Sequence, residues 1–303
     1  MPSHSQTVAG VSGGIRLDRY VAEGLCLLSR SQIKARRLTA RVNGKDAKIS
    51  RLVKNGDLLD LTWEEAEPAN IIPENIPLDI LYEDGRVVVL NKGQGMVVHP
   101  GAGNRRGTLA NALYYRRLQQ GSPSSPGPRP GIVHRLDKET SGVMIAAYDD
   151  ETLAFLAEQF KARKARKTYI AVTAGIPREK KGRIETCIAR DPRDRKRFAV
   201  AAQGRSALTL YSVIKTWRRH SLILLRPKTG RTHQLRVHLR YLGHPIIGDP
   251  LYGVTDPLFP DASLMLHSRS LAITLPGETG PRLFKTPLPE RFREMIHHLS
   301  NEE

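Results

Sequence analysis

Asp137 stands in the stretch of this sequence that is best suited to acid–base or nucleophilic chemistry. The apolar run that begins at Gly131 ends in a polar segment, where Arg135 and Lys138 flank the acid before a closing Thr-Ser-Gly. A carboxylate at the end of a strand and beside cations stays ionised, as a nucleophile or a base requires. The commoner role of such an aspartate is to cap a turn, and spacing alone favours that role.

Two further blocks combine polar groups with strand or buried-looking runs. Residues 167–172 predict a strand with Tyr169 on the face opposite to its neighbours, where core packing is the ordinary role of a tyrosine. Residues 229–239, which lead into 243–253, are dense in polar side chains within an otherwise apolar run. Polar groups in such a run need hydrogen-bond partners or a functional role.

Several common chemistries find no support in the sequence. There is no phosphate-binding loop, no GxSxG nucleophile elbow and no HExxH zinc motif. His233 and His238 are five residues apart, which does not place two ligands side by side on a helix, and Cys26 and Cys187 form no CxxC pair. We therefore expect no metal site and no disulfide framework.

The elements that must position these blocks fall into an amino-terminal unit and a larger domain. We expect a flexible amino terminus over 1–14, a compact unit over 15–62, a linker over 63–77 and a main domain over 78–303. The Pro, Gly and Ser content of 121–130 predicts a mobile loop, and a helix is expected from about Asp150. Strands mixed irregularly with few helices indicate an α+β fold.

A basic stripe is predicted in the compact unit. Ser29 or Ser31 can cap a helix that runs to about Thr39. If the helix runs that far, four cations share one face, and we interpret that face as a phosphate contact rather than a merely solvated surface: Arg30, Lys34, Arg37 and Arg41.

The charge balance of the whole chain points to a polyanionic partner. The 303 residues contain 48 Lys and Arg against 30 Asp and Glu, a net charge of +18. Neutralising phosphates releases condensed counterions, so such an excess of positive charge is typical of nucleic-acid binding. A basic enzyme without a polyanionic partner is the alternative interpretation. No apolar run is long enough to span a bilayer and the first residues do not form a secretory signal, so we expect a soluble, cytoplasmic protein.

Three long segments, in this order, resemble the RluA family of pseudouridine synthases. They are 134–142 (HRLDKETSG), 167–171 (KTYIA), and 229–238 (TGRTHQLRVH) with 243–253 (GHPIIGDPLYG). The resemblance runs from about Asp79 to Glu290. It implies a pseudouridine synthase fold with a mixed, largely antiparallel central sheet.

The compact unit resembles the RNA-binding domain of the ribosomal protein S-four type. The segments that carry this similarity are 16–18, 29–34, 42–45 and 53–57. Together the two resemblances indicate the RluC or RluD type, which acts on large-subunit ribosomal RNA.

The family resemblance also assigns roles to individual residues. Asp137 matches the essential aspartate, and Arg135 matches a residue that can fill the space left by a flipped nucleotide. Tyr169 matches the tyrosine that packs against the target base, and Arg231 the arginine paired with the catalytic carboxylate. Gly93 and Ser268 depart from the family's usual proline and alanine.

The implied reaction isomerises uridine to pseudouridine in structured RNA, and the expected substrate is large-subunit (23S) ribosomal RNA. It involves no redox change, so we expect no cofactor, and we expect a monomer with no protein partner and no membrane association. Whether Asp137 attacks the ribose or removes a ribose proton stays open. A non-catalytic ribosome-assembly protein would share the charge but not need Asp137, and a hydrolase would need a second, opposed acid.

Overall fold

The computed structural model of the chain describes residues 1–28, 30–64, 71–101, 103–121 and 131–302. It divides into two compact units, Met1–Asn70 and Ile71–Glu303. Ser29 as a helix cap, residues 65–70 of the expected linker and residues 122–130 of the expected loop lie outside the described residues.

The first unit is built on a small antiparallel sheet. Its strands are β1 (Ser3–Thr7), β2 (Ile15–Arg16), β3 (Thr39–Val42), β4 (Lys45–Ala47), β5 (Leu52–Val53) and β6 (Leu58–Thr62). The sheet order is β1-β6-β3-β4, and β2 pairs with β5. The expectation of a flexible amino terminus over 1–14 is wrong for Ser3–Thr7, because these residues pair with β6 from Thr62 to Leu58.

A second layer of short helices covers this sheet. It comprises α1 (Leu17–Arg19), a π-helical turn (Tyr20–Gly24) and α2 (Arg30–Ala35). Leu17, Val21 and Ile33 are buried with Leu59 and Leu61 of the sheet in one hydrophobic cluster. The unit therefore has a core of its own.

Two turns of this unit are joined by hydrogen bonds between polar groups. Asn43 adopts a left-handed conformation and donates from Nδ2 to Asp57 (2.8 Å), while its Oδ1 accepts from the Leu58 amide (2.8 Å). The Lys54 amide also donates to Asp57, and this bond, followed by the one from Asn43, lowers the pKa of the Asp57 carboxyl. The dipeptides Asn43-Gly44 and Asn55-Gly56 therefore lie in turns that are joined by hydrogen bonds.

The predicted basic stripe does not lie on one helix face. Helix α2 ends at Ala35, Arg37 lies beyond it in a left-handed conformation, and Arg41 belongs to β3. Both are exposed and paired with acids, Arg37 with Glu64 (3.2 Å) and Arg41 with Asp46 (2.9 Å). Lys34 is exposed on α2, while only the backbone of Arg30 is described. The premise of a helix that continues to Thr39 was wrong because the chain turns at Arg37 and enters a strand.

The second unit contains the remaining elements. Its strands are β7 (Asp79–Glu83), β8 (Val87–Lys92), β9 (Ser141–Ala147), β10 (Arg166–Ala174), β11 (Lys181–Arg190), β12 (Phe198–Val200), β13 (Arg205–Trp217), β14 (His220–Pro227), β15 (Leu266–Ile273) and β16 (Arg282–Lys285). Its helices are α3 (Leu109–Gln119), α4 (Asp150–Lys161), α5 (Gln234–Tyr241) and α6 (Glu290–Asn301).

The strands of this unit form one mixed sheet. Its order is β12-β11-β13-β14-β10-β15-β9-β8-β7, with β16 also paired to β15. Among the described strands the pairing is antiparallel except between β15 and β9, where His267 and Ser268 lie beside Ser141 and Gly142. The predicted α+β class with a largely antiparallel central sheet is confirmed.

Both faces of this sheet are covered. Met144 and Ala146 of β9 belong to a cluster that includes Leu109 of α3, Leu239 of α5 and Phe292 of α6. The alternate β9 residues Val143, Ile145 and Ala147 pack in a second cluster with Leu156 of α4. A strand buried on both faces needs a continuous apolar run, which is what β9 has.

Helix α4 begins close to where the sequence predicted it. Asp149 caps it by accepting a hydrogen bond from the Thr152 amide (2.7 Å). Leu156 of this helix is fully buried, and Leu153 and Phe160 are partly buried against the same cluster. No helix in the described part of the chain has the length and apolarity needed to cross a membrane.

We predict that the fragment 71–303 folds without the first unit. The hydrophobic clusters of the two units share no residue, so removing 1–70 takes no side chain from the cores of the larger one. Thermal unfolding of the fragment, followed by circular dichroism, should show a cooperative transition. A fragment that lacks such a transition would contradict the prediction, with the full chain as the reference.

Candidate active site

The segment 131–142 carries Asp137 and is fixed at both ends by glycine. At Gly131 (φ +64°) and at Gly142 (φ +121°), an added Cβ would collide with the carbonyl groups of Ala147 and Ser268 respectively. Between them the chain is irregular, apart from a single bridge from Ile132 to Ala146, and Asp137 precedes strand β9 instead of ending a strand. Only glycine permits this close approach with a positive φ.

A buried lysine braces the turn that follows Asp137. Lys92 Nζ donates to the carbonyl oxygens of Gly93 (2.8 Å), Met96 (2.9 Å) and Lys138 (3.1 Å). The side chain is inaccessible to solvent, and burial lowers its pKa to about 8 against the opposing influence of Glu139 and Asp137. The Gly95 amide also donates to the Lys138 carbonyl (3.0 Å), so the turn is tied to the 93–96 loop.

Arg236 is the arginine that contacts Asp137. Its Nη1 donates to Asp137 Oδ2 (3.2 Å), while Nε and Nη2 form a two-pronged pair with Asp249 (2.8 and 2.7 Å). Burial opposes the charge of Arg236, but Asp249 and then Asp137 outweigh it and raise the pKa of the guanidinium. The pKa of Asp249 is lowered because the Arg236 bonds overcome the burial of that carboxyl.

The expected pairing of Arg231 with Asp137 is not formed in the structure. Arg231 lies in the loop before α5, and its Nε donates to the Ser206 carbonyl (2.9 Å). Arg236 is inside the helix, where its side chain is 5% exposed and reaches both acids. The sequence held a signal for this: the acid at Asp249, in the second half of the motif, needs a cation once it is buried.

Tyr169 faces the same pocket from strand β10. It is 8% exposed, and burial raises the pKa of its hydroxyl to about 12, with the charge of Asp137 acting in the same direction and Ser268 opposing it. Tyr169 lies beside Ser268 in the register of β10 and β15. Ser268, one of the departures from the family pattern, is therefore next to this tyrosine.

His233 is a site residue that sequence reasoning did not assign. It caps α5 in a left-handed conformation (φ 55°), with Nδ1 hydrogen-bonded to the Tyr252 hydroxyl (2.8 Å) and Nε2 4.0 Å from Asp137 Oδ2. Burial lowers the pKa of His233 and so favours the neutral imidazole, while the nearby Asp137 charge acts in the opposite direction. A left-handed backbone at a residue other than glycine is uncommon and often accompanies a functional constraint.

The loop before α5 is held by Gln234. Its Oε1 accepts from Thr229 Oγ1 (2.8 Å) and from the Arg231 amide (3.0 Å), and its Nε2 donates to the Leu208 carbonyl (3.1 Å). The amide group therefore joins the loop, the helix start and strand β13. These bonds give partners to two of the polar side chains between 229 and 234, those of Thr229 and Gln234.

The four predicted active-site residues line one pocket of about 130 Å³, together with His233 and Arg236. They are Arg135, Asp137, Tyr169 and Arg231. The pocket combines a carboxylate held by a guanidinium, a buried aromatic ring and further cations, which suits a reaction on an anionic or polar ring substrate.

The predicted RNA-binding residues Arg30, Lys34, Arg37 and Arg41 belong to the first unit. In the described part of the chain, no group of three or more His, Cys, Asp or Glu is arranged to hold a metal ion.

Residues 86–241 match the family model described as RNA pseudouridylate synthase. Ribosomal large subunit pseudouridine synthase D of Borreliella burgdorferi is 43% identical over 92% of this chain and 87% of that protein. The protein of the same name from Xanthomonas campestris is 36% identical over 95% of this chain and 90% of its own length. The solved structure of human RNA pseudouridylate synthase domain containing 4 has a TM-score of 0.60 and 28% identity, covering 73% of this chain and 93% of that one.

We predict that Arg236→Ala destabilises the protein far more than Arg231→Ala. Removal of Arg236 leaves Asp249, whose side chain is fully buried, without its cation, a loss of about 3–5 kcal/mol in the free energy of unfolding. Arg231 makes one hydrogen bond to a carbonyl, so its loss should cost about 1 kcal/mol. Chemical denaturation of both variants measures the difference, and equal costs would contradict the assignment of Arg236 as the shared partner of the two acids.

Proposed function

The chain belongs to the RNA pseudouridylate synthase family and is an RNA pseudouridine synthase; from this premise we propose that it acts on large-subunit ribosomal RNA through the carboxylate of Asp137. The observation that carries the proposal is the placement of Asp137 in one pocket with Tyr169 while Arg236 holds it from behind. The proteins from Borreliella and Xanthomonas are named for this RNA, which supports the substrate.

The reaction sets clear demands on the pocket. The bond from uracil N1 to ribose C1′ breaks, the base turns, and C1′ joins C5, which loses its proton while N1 gains one. A detached uracil must be retained during the turn, which requires an enclosed space and a ring surface. An anionic group beside the sugar lowers the barrier in either route, attack at C1′ or removal of a ribose proton.

Asp137 has the surroundings that this role needs. Arg236 and His233 both approach its Oδ2, at 3.2 and 4.0 Å, and neither approaches Oδ1 within bonding distance in the described residues. One oxygen is therefore used for orientation and the other is left for the substrate. Because Arg236 is itself fixed by Asp249, the carboxylate is held before substrate arrives.

The other pocket residues take the roles that the family resemblance gives them. Tyr169 packs against the uracil ring during its rotation. Arg135, which is exposed at the pocket rim, occupies the space of the extruded nucleotide. Extrusion from folded RNA costs roughly a few kcal/mol, which the contacts of such a side chain offset. Arg231 binds substrate at the rim instead of orienting Asp137.

The first unit supplies additional affinity as an RNA-binding domain of the ribosomal protein S-four type. Lys34, Arg37 and Arg41 are exposed cations of this unit, and the net charge of the chain is +18. Arg37 and Arg41 must exchange their pairing with Glu64 and Asp46 for phosphate. The expected cytoplasmic location is part of this proposal, since ribosomal RNA is modified where ribosomes are assembled. The expected monomeric state stays a prediction.

We predict that Asp137→Asn abolishes pseudouridine formation in large-subunit ribosomal RNA and leaves RNA affinity within about twofold. The amide has the shape of the carboxylate but lacks the charge that the chemistry uses. Pseudouridine mapping of RNA from a deletion strain, complemented with either form of the gene, should show at least one missing site that only the wild type restores. Restoration by Asp137→Asn would overturn the role of Asp137, and an unchanged pseudouridine map in the deletion strain would overturn the substrate.

We predict that replacing Lys34, Arg37 and Arg41 together by Gln weakens binding of the folded ribosomal RNA. Each phosphate contact contributes about 0.7–0.9 to the slope of log affinity against log salt, so the slope should flatten by about 2–3 units. Filter binding at several salt concentrations gives the slope. A matched control is the triple Gln variant of Arg178, Arg218 and Arg219, exposed cations of the second unit. An unchanged slope in the first triple variant would show that these side chains contact no phosphate.

A further inference from the structure

A large groove rich in cations opens beside the active-site pocket. It has a volume of about 1130 Å³. Its lining residues come from 133–135, α4 and the loop after it, β10, the start of β13, β14 and the loop after it, β15, and 281–283. Nine of its described lining residues are Lys or Arg, and none is Asp or Glu. We refer to this feature as the basic groove, and its exposed cations include Arg163, Arg166, Arg205, Arg226 and Lys228.

The cations of the basic groove lack carboxylate partners. Lys161 pairs with Glu158 (3.4 Å), whereas the other eight have no acidic group within ion-pairing distance among the described residues. The pKa of Arg231 is lowered, first by burial and then by the charges of Arg205 and Arg163. Like charges held together without counterions repel one another, so the cluster is stabilised when an anion enters.

Arg163 adds a second, independent indication from the backbone. It lies in the left-handed region (φ 58°) directly after the C-cap of α4. Its amide donates to the Phe160 carbonyl and the Lys164 amide to the Gln159 carbonyl, which is the hydrogen-bond pattern of a Schellman motif. Glycine is the usual residue at this position, and arginine costs about 1 kcal/mol of backbone strain there. The strain is explained if the guanidinium is needed in the groove.

The basic groove is continuous with the active-site pocket. The two share six lining residues, among them Arg135, Lys167 and Arg231. A polymer whose one unit enters the pocket would therefore have its neighbouring units at the mouth of the groove. A small anion would not need this continuity.

The groove is suited to a backbone rather than to bases. Phe160 is its one aromatic lining residue other than His134, among those described, and its ring already stacks on His134 at a centroid distance of 4.6 Å. Lys167 Nζ lies 5.7 Å from the same ring centroid. Little ring surface is left for a base to stack on, and flexible cations are typical of contacts that position a phosphate backbone without reading sequence.

We propose that the basic groove binds the phosphodiester backbone of the single-stranded nucleotides next to the target uridine. The proposal rests on the proposed function only for the identity of the polyanion as RNA. It assigns the groove cations to holding the strand, while Asp137, Tyr169 and Arg236 act on the uridine itself. Substrate affinity and the chemical step should therefore respond to different substitutions.

The test uses the full-length protein carrying Asp137→Asn and a fluorescein-labelled twelve-nucleotide oligouridylate. Arg163→Gly, Arg205→Gln and Arg226→Gln are combined in one variant. Single-stranded contacts contribute about 0.7 each to the salt slope, so this slope should flatten by about 2 and affinity at 0.1 M salt should fall on the order of 10²-fold. The Gln triple variant of Arg178, Arg218 and Arg219 is the matched control; Arg218 and Arg219 precede β14 at the end opposite to Arg226. It should bind like the parent.

Arg163→Gly alone gives the sharpest measurement, because glycine relieves the strained backbone while it removes the charge. Oligouridylate affinity should fall about fivefold at 0.1 M salt, whereas the melting temperature should stay level or rise. A merely structural arginine would leave affinity unchanged. Equal losses in the groove and control triple variants would also overturn the proposal, because they would reflect overall charge alone.

The outcome can be separated from that of the proposed function. With Asp137 restored, the groove triple variant should raise the KM for large-subunit ribosomal RNA by far more than it lowers kcat. If the wild type modifies this RNA and the groove triple variant has the same KM, the groove proposal fails and the function stands. If the wild type leaves large-subunit RNA unmodified while the groove substitutions still weaken oligouridylate binding, the function fails and the groove stands. Weakened binding of polyglutamate, with oligouridylate binding unchanged, would point to an acidic protein segment and overturn the RNA assignment.

Discussion

The candidate active site depends on the guanidinium of Arg236, which is shared between two carboxylates. Asp249 holds this group through two short bonds, and its Oδ1 is in turn fixed by the amides of Leu251 and Tyr252. The remaining nitrogen, Nη1, points at Asp137. The loop around Asp249 therefore sets the position of the Asp137 carboxylate from 112 residues away in sequence. Helix α5 must begin where it does for Arg236 to reach both acids.

The buried charges of the site stabilise a geometry more than they stabilise the fold. Lys92, Arg236 and Asp249 are nearly or fully buried, which is costly unless every charged atom has a partner. Each of them is bonded to a backbone segment or to the opposite charge, and the glycines at 131 and 142 admit the close contacts that fix the segment between them. The desolvation is offset, and Asp137 is oriented before the RNA binds, as electrostatic stabilisation of a transition state requires.

Sequence reasoning located the pocket but did not predict its internal pairing. Asp137, Arg135, Tyr169 and Arg231 come from long motifs, and all four do line one pocket. Which arginine meets Asp137 depends on the residue at which α5 starts, and a left-handed His233 before Gln234 is not visible as a pattern. In the first unit, the end of α2 at Ala35 and the pairing of Ser3–Thr7 with β6 depend on tertiary contacts that override local propensity. Motifs thus identify which residues meet, while helix ends decide which atoms touch.

In each unit, one helix ends with an arginine in the left-handed conformation, which places a positive charge at the end of that helix. Helix α2 ends as α4 does, with a left-handed arginine, Arg37, whose amide donates to the Lys34 carbonyl while the Leu38 amide donates to the Ile33 carbonyl. Glycine would form the same hydrogen bonds without backbone strain, so each arginine lowers the stability of the fold by about 1 kcal/mol relative to glycine. The two arginines differ in their surroundings, since Arg37 pairs with Glu64 while Arg163 faces other cations. Arg37 must release an acid before it can bind phosphate, whereas binding of an anion relieves repulsion at Arg163, so the groove should give the stronger electrostatic contribution per residue.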